Sequence, residues 1–145
     1  DLDGFKQLID GLGLEAGDHW LVLVAQRLRE VVRETDTVAR LGGDEFVVLC
    51  ESLATDAAQA EAHLVALQAK LAHQLEQPAV LCGQLWQGRA SIGRRLFQGT
   101  DDAPDRLLAD ADQAMYRQKQ LRRPVRQPLV LEEAIDDDSA WGDFR

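Results

Sequence analysis

The sequence predicts a mixed α/β domain, an α+β sandwich with a central, mostly antiparallel sheet flanked by helices. Three observations carry that prediction. Predicted elements run α-α-β-β-α-β-β-α-β along the chain. A Gly-Gly dipeptide joins two short β-like segments, the mark of a tight antiparallel hairpin. Three long segments repeat apolar residues at helical rather than strand spacing.

In order, residues 5–10 read as a helix, followed by a loop marked by Gly11, Gly13 and Gly17. Residues 18–34 read as a stronger helix, because Leu21, Val24, Ala25, Leu28 and Val32 fall on one face. Residues 37–52 read as two strands joined at Gly42-Gly43, a pair that supplies the positive φ angles tight turns need. An Ala, Leu, Gln and Glu-rich helix over 55–75 opens on the cap-like Thr55-Asp56 and closes before Pro78. Residues 79–86 and 89–97 read as a second strand pair around Gly83 and Gly88. Pro104 opens a helix to residue 120, with Leu107, Leu108, Ala111 and Met115 on one face, and 126–131 read as a final strand. Trp20, Trp86, Met115 and Tyr116 are expected in the core.

The 145 residues, 46% hydrophobic and 28% charged, suit one globular domain and exclude a disordered, collagen-like or disulfide-scaffold chain. No apolar run approaches the roughly 20 residues of a membrane helix, and the opening residues are not a signal peptide. Of the formal net charge of −9, −5 falls on residues 132–145, which read as an acidic linker or tail. The remaining −4 argues against binding nucleic acid through a broad basic face. A phosphate ligand would need help from a metal ion. Cys50 and Cys82 stand in apolar, strand-like contexts, as buried free thiols of a reducing compartment do. The chain opens on DLDGFK without Met, so it reads as a piece of a longer protein.

Two acidic clusters stand out, Asp1-Leu2-Asp3 at the start and Asp44-Glu45 after the Gly-Gly turn. Carboxylates at strand ends and hairpin tips are what Mg²⁺ or Mn²⁺ needs when it also holds substrate phosphates. Surface acids near turns are also common as plain solvated groups. Other candidates fall away. Gly11, Gly13 and Ala16 imitate a dinucleotide-binding loop but follow no hydrophobic strand. His19, His63 and His73 have no metal-ligand company and read as surface or capping residues.

DLDGFKQLID, GDHW from Gly17, RETD from Arg33, GGDEF from Gly42 and AMYRQK from Ala114 together resemble the successive signatures of the GGDEF domain family, the diguanylate cyclases. Asp44 lies 43 positions after Asp1, as in the family pattern, and the likeness runs to about Arg123. The resemblance implies a fold like nucleotidyl cyclases and polymerase palms, with 1–125 as a GGDEF domain lacking its first helix and most of its first strand. It implies joining of two GTP into cyclic di-GMP across a homodimer, in the cytoplasm or on the cytoplasmic part of a membrane-anchored sensor. Fused sensory or EAL-type domains are implied partners; contacts of this segment with nucleic acid or membrane are not.

Carried over by position, Asp1 and Asp44 are the Mg²⁺ (or Mn²⁺) carboxylates, with the Leu2 carbonyl as a further ligand. Glu45 is the acid beside the metal, a helper for deprotonating the ribose 3′-hydroxyl. Gly42 and Gly43 keep the turn clear for phosphates. Phe5 and Lys6 match the loop that wraps the phosphates, and Lys119 and Arg123 match the basic pair that grips them. Asp18 matches a guanine contact, although it also suits an N-cap of the following helix. Arg33 and Asp36 match an inhibitory site that binds cyclic di-GMP as product feedback.

The sequence departs from the pattern at three places, one of them the family's usual Gly-Arg-Asn ending, which reads Arg122-Arg123-Pro124 here. The family's Asn for the guanine base is Ile9 here, and its frequent loop His is Leu14. Isoleucine has no donor or acceptor, and a missing polar partner in a recognition pocket costs on the order of 1–3 kcal/mol. Two functional readings follow from the resemblance: an active cyclase, or a degenerate domain that binds GTP or cyclic di-GMP to regulate a neighbour. A dimerising scaffold that needs no nucleotide is a third.

Overall fold

Gly13 shapes the first part of the chain. Its φ of +90° is one that L side chains rarely adopt, so the helical path stops there and restarts in a new direction. In the computed structural model, which describes residues 1–99 and 102–122, a two-residue strand β1 (Leu2–Asp3) leads into α1 (Phe5–Leu12) and then α2 (Leu14–Val31). Gly11 and Gly17, expected in a loop, are helical instead. Gly17 is buried where the helices cross, and a Cβ there would lie 2.9 Å from Ile9 Cγ1 and 3.5 Å from Phe5 Cζ. Because α2 starts at Leu14 rather than 18, Asp18 lies inside the helix and is not its N-cap.

The hairpin comes next, as β2 (Thr37–Gly42) and β3 (Glu45–Leu49). Its turn sits one residue later than expected. Gly42 pairs with Glu45, so Gly43-Asp44 make the turn, and a register shift between Arg40 and Gly42 leaves Leu41 outside the ladder. Asp56 caps α3 (Ala57–Leu75) by accepting the Gln59 N–H at 3.0 Å.

β4 (Ala79–Leu81) and β5 (Gln84–Trp86) form a second antiparallel hairpin. This corrects the expected pairing of 79–86 with 89–97. Cys82 and Gly83 have φ of +50° and +81°, the two positive values a two-residue type I′ turn demands, so the strand folds back on itself there. The next strand, β6 (Arg89–Ala90), pairs with β1, and residues 91–98 carry no strand. The turn chemistry was local, but the partner of β6 lies at the opposite end of the sequence.

The core joins these pieces. Leu8, Ala16, Trp20, Val24 and Leu28 of α1 and α2 bury against Leu71 and Leu75 of α3 and against Leu81 and Trp86. Trp20 and Trp86 meet edge to face with centroids 6.5 Å apart, worth about 0.5–1.5 kcal/mol beyond their burial. Arg27 lies 5.5 Å over the Trp20 ring and donates to the carbonyls of Gln77 (2.7 Å) and Pro78 (2.9 Å), fixing the passage from α3 to β4.

α4 (Pro104–Leu121) begins on the expected proline but buries no residue fully. It leans on Gly93, where a Cβ would overlap the Ala111 carbonyl and approach Met115 N to 2.4 Å. Met115 is only half-buried and Tyr116, one position further round the helix, is 60% exposed, so neither joins the core as expected. Cys50 is half-buried and Cys82 is exposed on its turn; both are free thiols, but neither is buried as their apolar neighbours led us to expect. The architecture is the predicted mixed α/β type, with every described strand in an antiparallel pair. The expected final strand 126–131 and acidic tail lie outside the described residues. No helix among the described residues is long and apolar enough to cross a membrane.

Candidate active site

Pleating assigns β1 two faces. Leu2 is 3% exposed and enters the core, while Asp1 and Asp3, on either side of it, point the other way. The last turn of α4 presents Lys119, and Arg122 follows as the extended residue that ends the helix. The two pairs match: Lys119 Nζ lies 2.7 Å from Asp1 Oδ1, and an Arg122 guanidinium nitrogen lies 3.7 Å from Asp3 Oδ2. Arg122 also donates to the Ala90 carbonyl at 2.6 Å. Asp3 is buried, accepts the Ser91 hydroxyl at 2.8 Å and sits 3.5 Å from Arg89.

The backbone of β1 serves both of its sides. Ser91 N–H donates to the Asp1 carbonyl at 2.9 Å on the β6 side. Leu2 N–H turns away from β6 and donates to the Asp44 carbonyl at 3.2 Å, which ties β1 to the hairpin tip. A strand residue's N–H and C=O point to the same side, so the Leu2 carbonyl also faces the tip. Asp44 is half-buried there and Glu45 exposed. Asp1, Asp3, Asp44, Glu45 and Lys119 lie close enough for their charges to act together at the start of β1.

Two features beside this cluster suit phosphate. Gly42 and Gly43 have φ of +155° and +49°, and a Cβ on either would meet nothing within 4 Å, so the turn faces open space. Gly4, at φ +74°, ends β1 and starts α1, whose N-terminus has no side-chain cap and no acid in its first turn. Unsatisfied N–H groups at such an end attract anions. Phe5 is half-buried behind that end and Lys6 is exposed beside it.

The structure thus gathers Asp1, Leu2, Phe5, Lys6, Gly42, Gly43, Asp44, Glu45 and Lys119 around the junction of β1, the hairpin tip and the end of α4. Asp18 stands apart, exposed on α2 beside the crossing that Ile9 fills. Arg123 lies outside the described residues. Arg33 and Asp36 sit at the base of the hairpin, roughly 20 Å from its tip at about 3.3 Å per strand residue. There the Arg33 guanidinium bridges Asp36 Oδ1 (3.3 Å) and the Glu51 carbonyl (2.8 Å). Sequence reasoning noticed Asp3 without giving it a role, and missed Ser91, Arg89 and Arg122. The strand period of two was the available signal for Asp3; Arg122, the extended residue that ends α4, follows no such period.

Among the described residues, no three His, Cys, Asp or Glu side chains form a metal-holding group. His19, His63 and His73 are exposed, the first 3.9 Å from Cys82 Sγ. The donor set at the junction is two carboxylates and a carbonyl, all hard oxygens. Mg²⁺ is ordinarily held by one or two carboxylates, with water and substrate phosphates completing the shell. A donor set of hard oxygens of this kind fits the ion.

The sequence pattern described as "Diguanylate cyclase, GGDEF domain" matches residues 1–124. The bifunctional diguanylate cyclase/cyclic di-GMP phosphodiesterase MucR of Pseudomonas aeruginosa is 42% identical over 82% of this chain and 16% of its own length. The diguanylate cyclase TpbB of the same species is 40% identical over 97% of this chain and 33% of its own. The chain therefore spans a third or less of these curated relatives. The crystal structure of the TpbB GGDEF domain superposes with a TM-score of 0.75 at 40% identity, covering 88% of this chain and 76% of that one. A sensory box/GGDEF family protein of Caulobacter crescentus superposes with a TM-score of 0.72 at 36% identity, covering 83% and 74%. With the pattern, the relatives and the fold in agreement, the chain belongs to the GGDEF domain family of diguanylate cyclases.

Proposed function

We propose that this domain condenses two GTP into cyclic di-GMP with release of two diphosphates, in bacterial second-messenger signalling. The observation that supports the reading is the Leu2 N–H to Asp44 carbonyl bond, which pairs the β1 backbone beside Asp1 with the hairpin tip that carries Asp44. Asp1, Asp44 and the Leu2 carbonyl would hold Mg²⁺ or Mn²⁺. When bound, the ion offsets charge on the triphosphate and polarises the attacking oxygen.

The chain's own residues do the rest. The open Gly42-Gly43 turn and the uncapped start of α1 at Phe5 and Lys6 receive phosphate oxygens, and Lys119 with Arg123 pairs their charge. Glu45, next to Asp44 and exposed, takes the proton of the ribose 3′-hydroxyl. That oxygen bonds to the α-phosphorus of the second GTP, and the α–β phosphate bond breaks as diphosphate leaves. Repeating the step in the opposite sense closes the ring, so each domain of a homodimer holds one GTP. Product would bind at Arg33 and Asp36, which places feedback at the far end of the hairpin. MucR, a bifunctional diguanylate cyclase/cyclic di-GMP phosphodiesterase, supports fusion to a phosphodiesterase module, and a cytoplasmic setting accords with a GTP substrate.

One observation favours a second reading, a domain that binds nucleotide to regulate a neighbour without turning it over. Ile9 is wedged against Gly17 and offers the base no polar group. Incubating the full chain with GTP and Mg²⁺ and resolving products by chromatography separates the two. Cyclic di-GMP from the wild type, absent in Asp44→Asn, supports the cyclase. Product from Ile9→Asn but not from the wild type supports the regulatory module, and product from neither refutes the cyclase reading.

A further inference from the structure

We propose that Lys119 is the resident counter-ion of Asp1, a tethered cation that a divalent ion must displace and that is then freed for a phosphate. The proposal rests on the reading of Asp1 as a metal carboxylate and adds an antagonist to it. The 2.7 Å contact is at the short end of charge-assisted hydrogen bonds, on a carboxylate only 13% exposed. A Mg²⁺ ion bound to the same carboxylate oxygen at about 2.0–2.1 Å would stand less than about 5 Å from the ammonium. Like charges that close repel strongly near a protein surface. The two cations therefore compete for Asp1.

The lysine is mounted for this position. One turn beyond it, Arg122 is held by Asp3 and by the Ala90 carbonyl. Just before it, Gln118 Oε1 accepts the Ile92 N–H at 2.6 Å. These bonds fix the end of α4 against β1 and β6, so Lys119 reaches Asp1 with little further loss of freedom. Its own side chain is 48% exposed, so it can leave Asp1 by rotating about its stem while the backbone stays still. Metal alone then meets a competitor, whereas metal arriving with a triphosphate gives the displaced ammonium a new anion. The geometry thus favours joint binding of metal and nucleotide over metal alone.

The test is Mn²⁺ titration of the nucleotide-free full chain, with free Mn²⁺ read by electron paramagnetic resonance. Lys119→Met is expected to bind Mn²⁺ about tenfold more tightly than the wild type, equivalent to about 1.4 kcal/mol. Lys119→Arg, which keeps the charge, is expected to stay within about twofold. Arg122→Gln, which loosens the mount but leaves the lysine, is expected to fall between wild type and Lys119→Met. Mn²⁺ affinity in Lys119→Met no higher than wild type, with binding lost in Asp1→Asn, overturns the counter-ion proposal alone. Mn²⁺ binding that survives Asp1→Asn unchanged overturns the metal assignment and the proposal with it.

Discussion

Replacing Asp3 separates a hydrogen bond from a charge at the junction of β1, β6 and α4. Its carboxylate accepts the hydroxyl of Ser91, a fully buried residue, and faces the guanidinium groups of Arg89 and Arg122. Asp3→Ala leaves that hydroxyl buried without an acceptor, a loss of about 1–3 kcal/mol. Removing one member of a fully buried ion pair costs about 3–5 kcal/mol, but these arginine side chains keep 31% and 25% of their exposure. Water and the Ala90 carbonyl remain to Arg122, so the charge contribution shrinks to about 1 kcal/mol. Asp3→Ala should therefore destabilise by about 3 kcal/mol in all. Asp3→Asn, which keeps an oxygen for Ser91, should cost about 1 kcal/mol. Urea unfolding at neutral pH, followed by the fluorescence of the buried Trp20 and Trp86 pair, measures both. Raising the salt concentration should shrink the Asp3→Asn loss and leave the Ser91→Ala loss unchanged. An Asn variant as damaged as the Ala variant would refute the ranking of hydrogen bond over charge, and an Ala variant within about 0.5 kcal/mol of wild type would refute the whole argument.

Gly88→Ala would place a Cβ 2.1 Å from Trp20 Cζ2, a rigid ring with no exposure, so a loss of about 3 kcal/mol is expected from the shift in urea midpoint. On the proposed feedback role, Arg33→Ala should abolish cyclic di-GMP binding at the hairpin base, measured by calorimetry; it should cost about 1–2 kcal/mol of stability, since the guanidinium is half exposed but the Asp36 carboxylate it leaves behind is buried and keeps only the Arg33 N–H. Burial, followed by the charge of Asp36, pushes the Cys50 thiol up while Arg33 opposes it, so at pH 8 a thiol reagent should modify the exposed Cys82 well before Cys50. The native state holds the Cys50 proton more tightly than the unfolded chain does. Above the ordinary thiol pKa it therefore binds more protons, so this contribution to stability should fall as pH rises, a trend that Cys50→Ser should remove.

Local chemistry was legible in the sequence wherever a single segment decided it. The Asp56 cap, the Pro104 start and the hairpin at Gly42-Gly43 needed only neighbours in the chain, and the structure has all three within a residue or two. The misses share a cause. Gly17 was read as a helix breaker because periodicity cannot see that α1 crosses there and leaves no room for a Cβ. The fate of residues 89–97 was misread because β6 pairs with β1 from the other end of the chain. The apolar neighbours of Cys82 and the spacing of Tyr116 predict burial, but a type I′ turn exposes the first and helix rotation the second. For the candidate site the carboxylates were legible and their supports were not. Asp3 draws on Ser91, Arg89 and Arg122, which meet it only after folding.

Ile9 ties recognition to packing in a way neither the motif nor the fold shows alone. Gly17 allows α1 and α2 to approach until an Ile9 methylene lies against the α2 backbone, with Phe5 alongside. Asparagine at 9 would bring an amide with two donors and one acceptor to that crossing, where Gly17 offers no side-chain partner and α2 keeps its backbone bonds for itself. The amide would have to turn outward to water or to a bound base. Isoleucine instead fills the crossing and strengthens the support beneath Phe5, the residue that opens α1 at its uncapped end. On the proposed cyclase reading, the same side chain exchanges a polar contact with the base for packing between α1 and α2. On that reading the exchange belongs to the α1–α2 crossing alone and leaves the junction of β1, the hairpin tip and α4 untouched.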